Sequence, residues 1–242
     1  MNYIGKRYWL VGASEGLGRA LAHKMSAAGA ELVISARSET RLKALAAELP
    51  NKVKVVALDI SDGESVVKAG AGLGRLDGVV FLASVYWPMP ANQWDGANAI
   101  AMAEINFTGL FRVLDQVMAQ FLERDAGHIV ITGSLTGFRG LPGAIGYGAS
   151  KAGVMSLAES LYADLRTSGI KVQLTSPGFI KTRQTDKNRF RMPFIMSPDE
   201  AADHMIRHMA SNRFKSSFPR LFSWFLRSSQ FWPDWLYFRI FG

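Results

Sequence analysis

The chain has no cysteine among its 242 residues. That absence excludes disulfides, cysteine-ligated zinc, iron–sulfur clusters and thiol nucleophiles, and it fits a reducing compartment. No uncharged apolar run approaches the ~18 residues that cross a bilayer. The best stretch, Leu221–Phe241, is interrupted by Arg227, Pro233, Asp234 and Arg239. There is no signal-peptide core at the start either: Lys6 and Arg7 precede only Tyr8–Val11 before the glycines begin. The expectation is a soluble, cytoplasmic protein. Repeats, linkers and low-complexity segments are also missing. With 48% hydrophobic and 20% charged residues, the composition excludes a disordered chain and is enough for a sizeable core.

The net charge of +8 is confined to two places. Residues 181–191 hold Lys181, Arg183, Lys187, Arg189 and Arg191 against Asp186. Residues 213–242 hold Arg213, Lys215, Arg220, Arg227 and Arg239 against Asp234, and the remainder is neutral. A local anionic partner or plain solvated surface accounts for this better than a nucleic-acid-binding body, so no nucleic-acid partner is expected.

Short β-rich runs alternate with helical patterns. Tyr8–Val11, Glu31–Ala36, Val53–Leu58, Gly78–Ala83, His128–Thr132 and Lys171–Ser176 read as strands. Several are continuously apolar, as parallel strands covered on both faces are. Helical patterns lie near 17–28, 39–49, 62–72, 98–123 and 149–167. This rhythm implies an α/β domain, a parallel sheet doubly wound with helices on both faces. Composition shifts near residue 212: of 27 aromatic residues, 11 fall in 213–242. The chain thus divides into a domain over 1–212 and an aromatic, basic extension of it.

The first strand runs into Gly12-Ala13-Ser14-Glu15-Gly16-Leu17-Gly18, ahead of an Ala/Leu-rich helix. Glycines permit a tight turn and a close backbone approach, and the helix N-terminus offers N–H groups to a pyrophosphate. The spacing is GxxxGxG, not the general GxGxxG fingerprint, so a plain turn is the competing reading. The second strand ends at Ala36-Arg37-Ser38. An acid there would hold a ribose 2′-OH, whereas a base pairs with a 2′-phosphate; Arg37 therefore favours NADP(H), unless it merely caps a loop. Tyr147 and Lys151 stand four residues apart at a helix start. A nearby ammonium favours phenolate, so Lys151 is expected to lower the Tyr147 pKa and let the phenol exchange a proton with a carbonyl oxygen. Ser134 ends a central strand, where open α/β sheets bind ligands. Asn106 lies inside a helical pattern, which is unusual for an Asn without a cap role. Pro177-Gly178 through Thr182 follows the sixth strand.

Gly12, Gly16, Gly18, Asp59, Asn106, Ser134, Tyr147, Lys151, Pro177, Gly178 and Thr182, in this order over residues 5–210, resemble the short-chain dehydrogenase/reductase superfamily, in its roughly 250-residue single-domain group. The resemblance implies a Rossmann-type sheet of about seven strands and an oxidoreductase acting on a ketone, an aldehyde or the corresponding alcohol. It implies a tetrad: Tyr147 as general acid/base, Ser134 orienting the substrate oxygen, Lys151 assisting Tyr147 and bonding the nicotinamide ribose, and Asn106 holding a water that links Lys151 to solvent. Ser14, Gly16 and Leu17 would meet the pyrophosphate or adenosine ribose, Asp59 and Ile60 the adenine, and Ile180 and Thr182 the carboxamide and pyrophosphate side. Two departures stand out. Phe81-Leu82-Ala83-Ser84 replaces the usual Asn-Asn-Ala-Gly, leaving Ala83 to line the cofactor cleft, and Val11 replaces the usual Thr before Gly12. A homodimer or homotetramer is implied through the helices at 98–123 and 149–167.

The basic, apolar segment 181–196 suits an apolar or lipid-like substrate, or a 3-oxoacyl thioester on an acidic carrier protein. A solvated loop is the alternative. A non-catalytic NADP sensor or membrane-associated scaffold is the competing class. His204 and His208, four apart after the start signal Ser197-Pro198-Asp199-Glu200, read as an exposed helical face and not as metal ligands. In the extension, Phe218, Leu221, Phe222 and Phe225 have helical spacing, with Arg220 and Arg227 off that stripe. Subunit packing, peripheral membrane contact and a lid over the site are all open for 213–242.

Overall fold

The computed structural model describes residues 3–188 and 190–242. Seven strands form one sheet: β1 (Arg7–Val11), β2 (Glu31–Ala36), β3 (Val53–Ala57), β4 (Gly78–Phe81), β5 (Gly127–Thr132), β6 (Ile170–Pro177) and β7 (Lys215–Phe218). Their order is β3-β2-β1-β4-β5-β6-β7, and every pairing is parallel. The direction of winding reverses between β1 and β4, which opens a crevice at the carboxyl ends of those strands.

Around the sheet stand α1 (Gly16–Ala27), α2 (Glu39–Glu48), α3 (Gly63–Ala71), α4 (Gly96–Ala103), α5 (Gly109–Asp115), α6 (Met118–Glu123), α7 (Ile145–Leu165), α8 (Pro198–Ala210), α9 (Arg220–Ser228) and α10 (Asp234–Phe241). Alternate strand side chains feed two cores. Trp9, Val79, Phe81, Ile129 and Ile131 pack with α3, α5 and α7 on one face. Leu10, Ile34, Val80 and Val130 pack with α1, α2 and α8 on the other. The central strands are buried on both faces, which is why several of them read as unbroken apolar runs.

Three expectations need correction. The pattern at 98–123 is not one helix: a π-helical turn, Glu104–Thr108, separates α4 from α5, and α6 follows after a further break. Asn106 drives the local change, because its side chain is drawn inward to bond the backbone after β4 and widens the turn around it. Next, Phe218 is not on a helical stripe. It ends β7, buried, and α9 begins only at Arg220, with Leu221 and Phe225 exposed. Finally, His208 is not on an exposed face: it is 5% exposed, and His204 stacks on Phe218 at 4.7 Å. The start of α8 is as expected, with a reciprocal cap in which Ser197 Oγ accepts from Glu200 N and Glu200 Oε2 accepts from Ser197 N.

At the amino end of the sheet, His128 Nε2 donates to Gln173 Oε1 at 2.8 Å and its Nδ1 accepts from the Tyr8 hydroxyl at 2.9 Å. Burial drives the His128 pKa down to about 3, against the Gln173 bond that favours the charged ring. The ring is therefore a neutral structural pin.

Candidate active site

A cleft of about 620 Å³ runs along the carboxyl ends of the strands. Gly12, Ser14, Gly16, Leu17, Gly18, Arg37, Asp59, Ile60, Ala83, Pro177, Gly178, Ile180 and Thr182 all line it, together with Ser134, Tyr147 and Lys151. Asn106 does not. It stands behind the wall, fully buried.

The glycine loop has room for no side chain. Gly12 has φ +98° and a Cβ there would sit 2.5 Å from Ala83 N, while Gly16 has φ +54° and a Cβ would meet Thr182 Cγ2 at 2.9 Å. The Phe81–Ser84 run therefore serves through backbone: Leu82 N donates to Val11 O, and Ala83 closes on Gly12. Glu15 precedes α1 without capping it by its side chain. Its carboxylate is held instead by Arg41 Nη1 at 2.9 Å and Arg183 Nε at 3.1 Å. Arg37 has no ion pair among the described residues, but its charge reaches Asp59. Burial raises the Asp59 pKa, yet the Ser61 hydroxyl and N–H together with Arg37 bring it below the usual carboxylate range. An open helix N-terminus, a backbone cradle that a Cβ would fill, and an unclaimed guanidinium fit a dinucleotide phosphate chain.

At the other end, Tyr147 and Lys151 occupy the first turns of α7, and Lys151 Nζ lies 5.8 Å from the Tyr147 ring centre. Lys151 is 1% exposed, and its Nζ donates to Thr132 O at 2.9 Å. Burial lowers its pKa to about 8. The expected lowering of the Tyr147 pKa by Lys151 is not what the protein has. Burial raises it, and the opposing pull comes from the Ser134 and Ser84 hydroxyls. Tyr147 is therefore a protonated phenol at neutral pH in this cleft. The Ser84 hydroxyl is buried within electrostatic reach of that phenol without completing a well-formed hydrogen bond. Ser134 Oγ accepts from Thr136 N at 3.2 Å and from Thr136 Oγ1 at 2.8 Å, which commits its lone pairs and leaves its proton to give.

Asn106 Oδ1 accepts from Val85 N at 2.7 Å, and its Nδ2 donates to Val85 O and Ser150 Oγ, both at 3.0 Å. Both amide protons are then used. Ser150 Oγ in turn donates to Tyr147 O at 2.8 Å, so Asn106 ties the segment after β4 to the first turn of α7. Ser150, Ser84, Thr136 and Arg41 carry no role that the sequence assigns; each is polar and close in sequence to a candidate, the only signal available.

The mouth is aromatic. Phe179 contacts Phe190 and Phe222, and Phe222 contacts Phe194. Phe222, Leu226 and Phe241 line the cleft, so the extension forms one of its walls. The segment after β6 is tied down by Gln184 Nε2 to Ser84 O, Lys187 Nζ to Tyr86 O, and Tyr86 OH to Asn188 Oδ1.

The family model for short chain dehydrogenases matches residues 6–192. The chain belongs to the short-chain dehydrogenase family. An uncharacterized oxidoreductase of Myxococcus xanthus is 35% identical over 217 residues, covering 87% of this chain and 86% of the relative. The 3-oxoacyl-(acyl-carrier-protein) reductase FabG of Escherichia coli is 31% identical over 194 residues, 76% and 78% of the two chains. Among solved structures, a short-chain dehydrogenase from Sphingobium yanoikuyae in complex with NADPH superposes with a TM-score of 0.83 at 26% identity, covering 89% and 88%. This short-chain dehydrogenase is thus an oxidoreductase with a Rossmann-type fold and a nicotinamide-cofactor cleft.

Proposed function

We propose that this short-chain dehydrogenase uses NADPH to reduce the carbonyl group of an apolar substrate. What carries the reading is one cleft with a protonated phenol and a serine proton at one end and an unclaimed guanidinium at the other. Gly12, Gly16, Leu17 and the start of α1 would hold the pyrophosphate, Arg37 the 2′-phosphate, Asp59 and Ile60 the adenine, and Ile180 and Thr182 the nicotinamide side. NADPH, when bound, supplies the hydride that reaches the carbonyl carbon.

The chain's own residues handle the oxygen. Ser134 donates its free hydroxyl proton to the carbonyl oxygen and polarises it. Tyr147, kept protonated by burial, gives its proton to that oxygen as the C–O bond becomes single, and the product leaves as the alcohol. Lys151, charged below about pH 8, steadies the resulting phenolate. Asn106 acts by position, since its amide fixes Val85 and, through Ser150, the Tyr147 backbone. The NADPH-bound structural relative and Arg37 together support NADP(H) over NAD(H).

The mouth formed by Phe179, Phe190, Phe222 and Phe241 supports an apolar or lipid-like substrate. The E. coli relative adds a second candidate, a 3-oxoacyl thioester on a carrier protein, whose acidic surface would meet the basic 181–191 segment. Exposed Ile100 and Phe111, on α4 and α5, and Tyr162 on α7 offer the faces for a homodimer or homotetramer. Tyr147→Phe tests the chemistry directly. Turnover of a carbonyl panel should fall at least a thousandfold with NADPH affinity retained. Undiminished turnover would overturn the assignment, and tight NADPH binding with no turnover by the parent protein would favour the sensor.

A further inference from the structure

The aromatic extension has two sides. Phe222 and Leu226 on α9 and Tyr237 and Phe241 on α10 turn inward. On the outside, Leu221 and Trp224 of α9, Phe231 between the helices, and Trp235, Phe238 and Ile240 of α10 are each more than half exposed, Phe231 at 87%. Large apolar side chains are seldom concentrated in this way on a surface that faces only water.

Charge lies on the same faces. On α9, Arg220, Trp224 and Arg227 follow one another at i, i+4 and i+7 along one exposed side, with buried Leu226 turned away from Trp224. On α10, Trp235 and Arg239 share the side opposite buried Tyr237. The one acid of residues 213–242, Asp234, is taken by Arg139. Nor is the extension loose. Arg139 Nη1 also donates to Ser229 O at 2.5 Å and Trp232 O at 2.8 Å, its guanidinium covers the Tyr237 ring at 4.0 Å, and Tyr237 OH donates to Gly140 O at 2.6 Å.

We propose that α9 and α10 lie flat on an anionic phospholipid bilayer, with the tryptophans and phenylalanines in the headgroup boundary and Arg220, Arg227 and Arg239 on the lipid phosphates. Helices of nine and eight residues cannot span a membrane, and among the described residues no helix is long and apolar enough to do so. Tryptophan with arginine is the composition that interfacial helices use. A second copy of the chain fits worse, because a two-fold contact through this face would set arginines against arginines with no free acid between them. Since Phe222 and Leu226 are on the opposite side of α9, docking would hold the cleft about one helix diameter, ~10 Å, from the headgroups.

Sedimentation of the full chain with vesicles of equal parts phosphatidylglycerol and phosphatidylcholine tests this independently of any turnover. Binding is expected at low salt, at least tenfold stronger than to pure phosphatidylcholine. It should fall about a hundredfold in R220A/R227A/R239A, from roughly fivefold per arginine. W224S/F231S/W235S should lose both binding and the blue shift of tryptophan emission, with an unchanged far-UV circular dichroism spectrum as the check on folding. The proposal is overturned by an absence of anionic-vesicle binding at low salt, by either triple variant binding as strongly as the parent, or by self-association that the aromatic variant abolishes while vesicles bind nothing.

Discussion

Lys151 is a buried ammonium without an acid beside it, and its cost to the fold is measurable. Its pKa drops from 10.5 to about 8 through burial alone. At about 1.4 kcal/mol per pKa unit, that is on the order of 3 kcal/mol lost to folding when the side chain is charged. The sign follows from the direction. A depressed lysine pKa means that the unfolded chain binds the proton more tightly, so the penalty is complete below pH 8. It fades as pH rises from 8 toward 10.5. Lys151→Met keeps the length and removes the charge, at the loss of the Thr132 O bond, worth about 1 kcal/mol. The variant should therefore be more stable than the parent by about 2 kcal/mol at pH 7, a Tm rise of roughly 4–8 °C for a chain of this size. It should also lack turnover. Urea denaturation of both proteins at pH 7, 8, 9 and 10 checks the magnitude and the window. A variant less stable than the parent at pH 7, or a stability gap that stays constant up to pH 10, would refute the reasoning.

Arg37→Ala should raise the Kd for NADPH by tenfold or more and leave the NADH Kd within twofold, read by fluorescence titration; equal weakening of both would remove the 2′-phosphate role. Asn106→Leu strands the Val85 N–H and C=O, and should cost about 2–4 kcal/mol in chemical denaturation. Its kcat should fall more than its KM rises, because Tyr147 loses its backing through Ser150, and Asn106→Asp should recover part of the stability by keeping the Val85 N–H bond. For His128, the folded pKa of about 3 against an ordinary value near 6.5 makes its contribution complete above pH 6.5 and progressively lost between 6.5 and 3. His128→Gln should accordingly flatten the acid limb of the stability curve while lowering stability at pH 7.

Much of the molecule was legible locally. Six strands and most of the helices follow from apolar runs, 3.6-residue spacing and cap residues, all of which act within about ten residues of one another. β7 was missed because Lys-Ser-Ser-Phe has no apolar run; it is a strand only because β6 has an open edge there. The long helix was misread as continuous because Asn106 breaks it through Val85, 21 residues away.

The candidates for the site could be named from the chain alone, since a glycine loop, a Tyr–Lys pair one helical turn apart, and a serine at a strand end need only sequence spacing to be recognised. Their electrical state could not. Whether a cation lowers a phenol's pKa or burial raises it depends on how much protein surrounds both groups, and that is settled by residues dozens to a hundred positions distant. The extension followed the same division. Its aromatic and basic character is plain in the sequence, but which aromatics wall the cleft and which face outward depends on Arg139 gripping Asp234 across 95 residues.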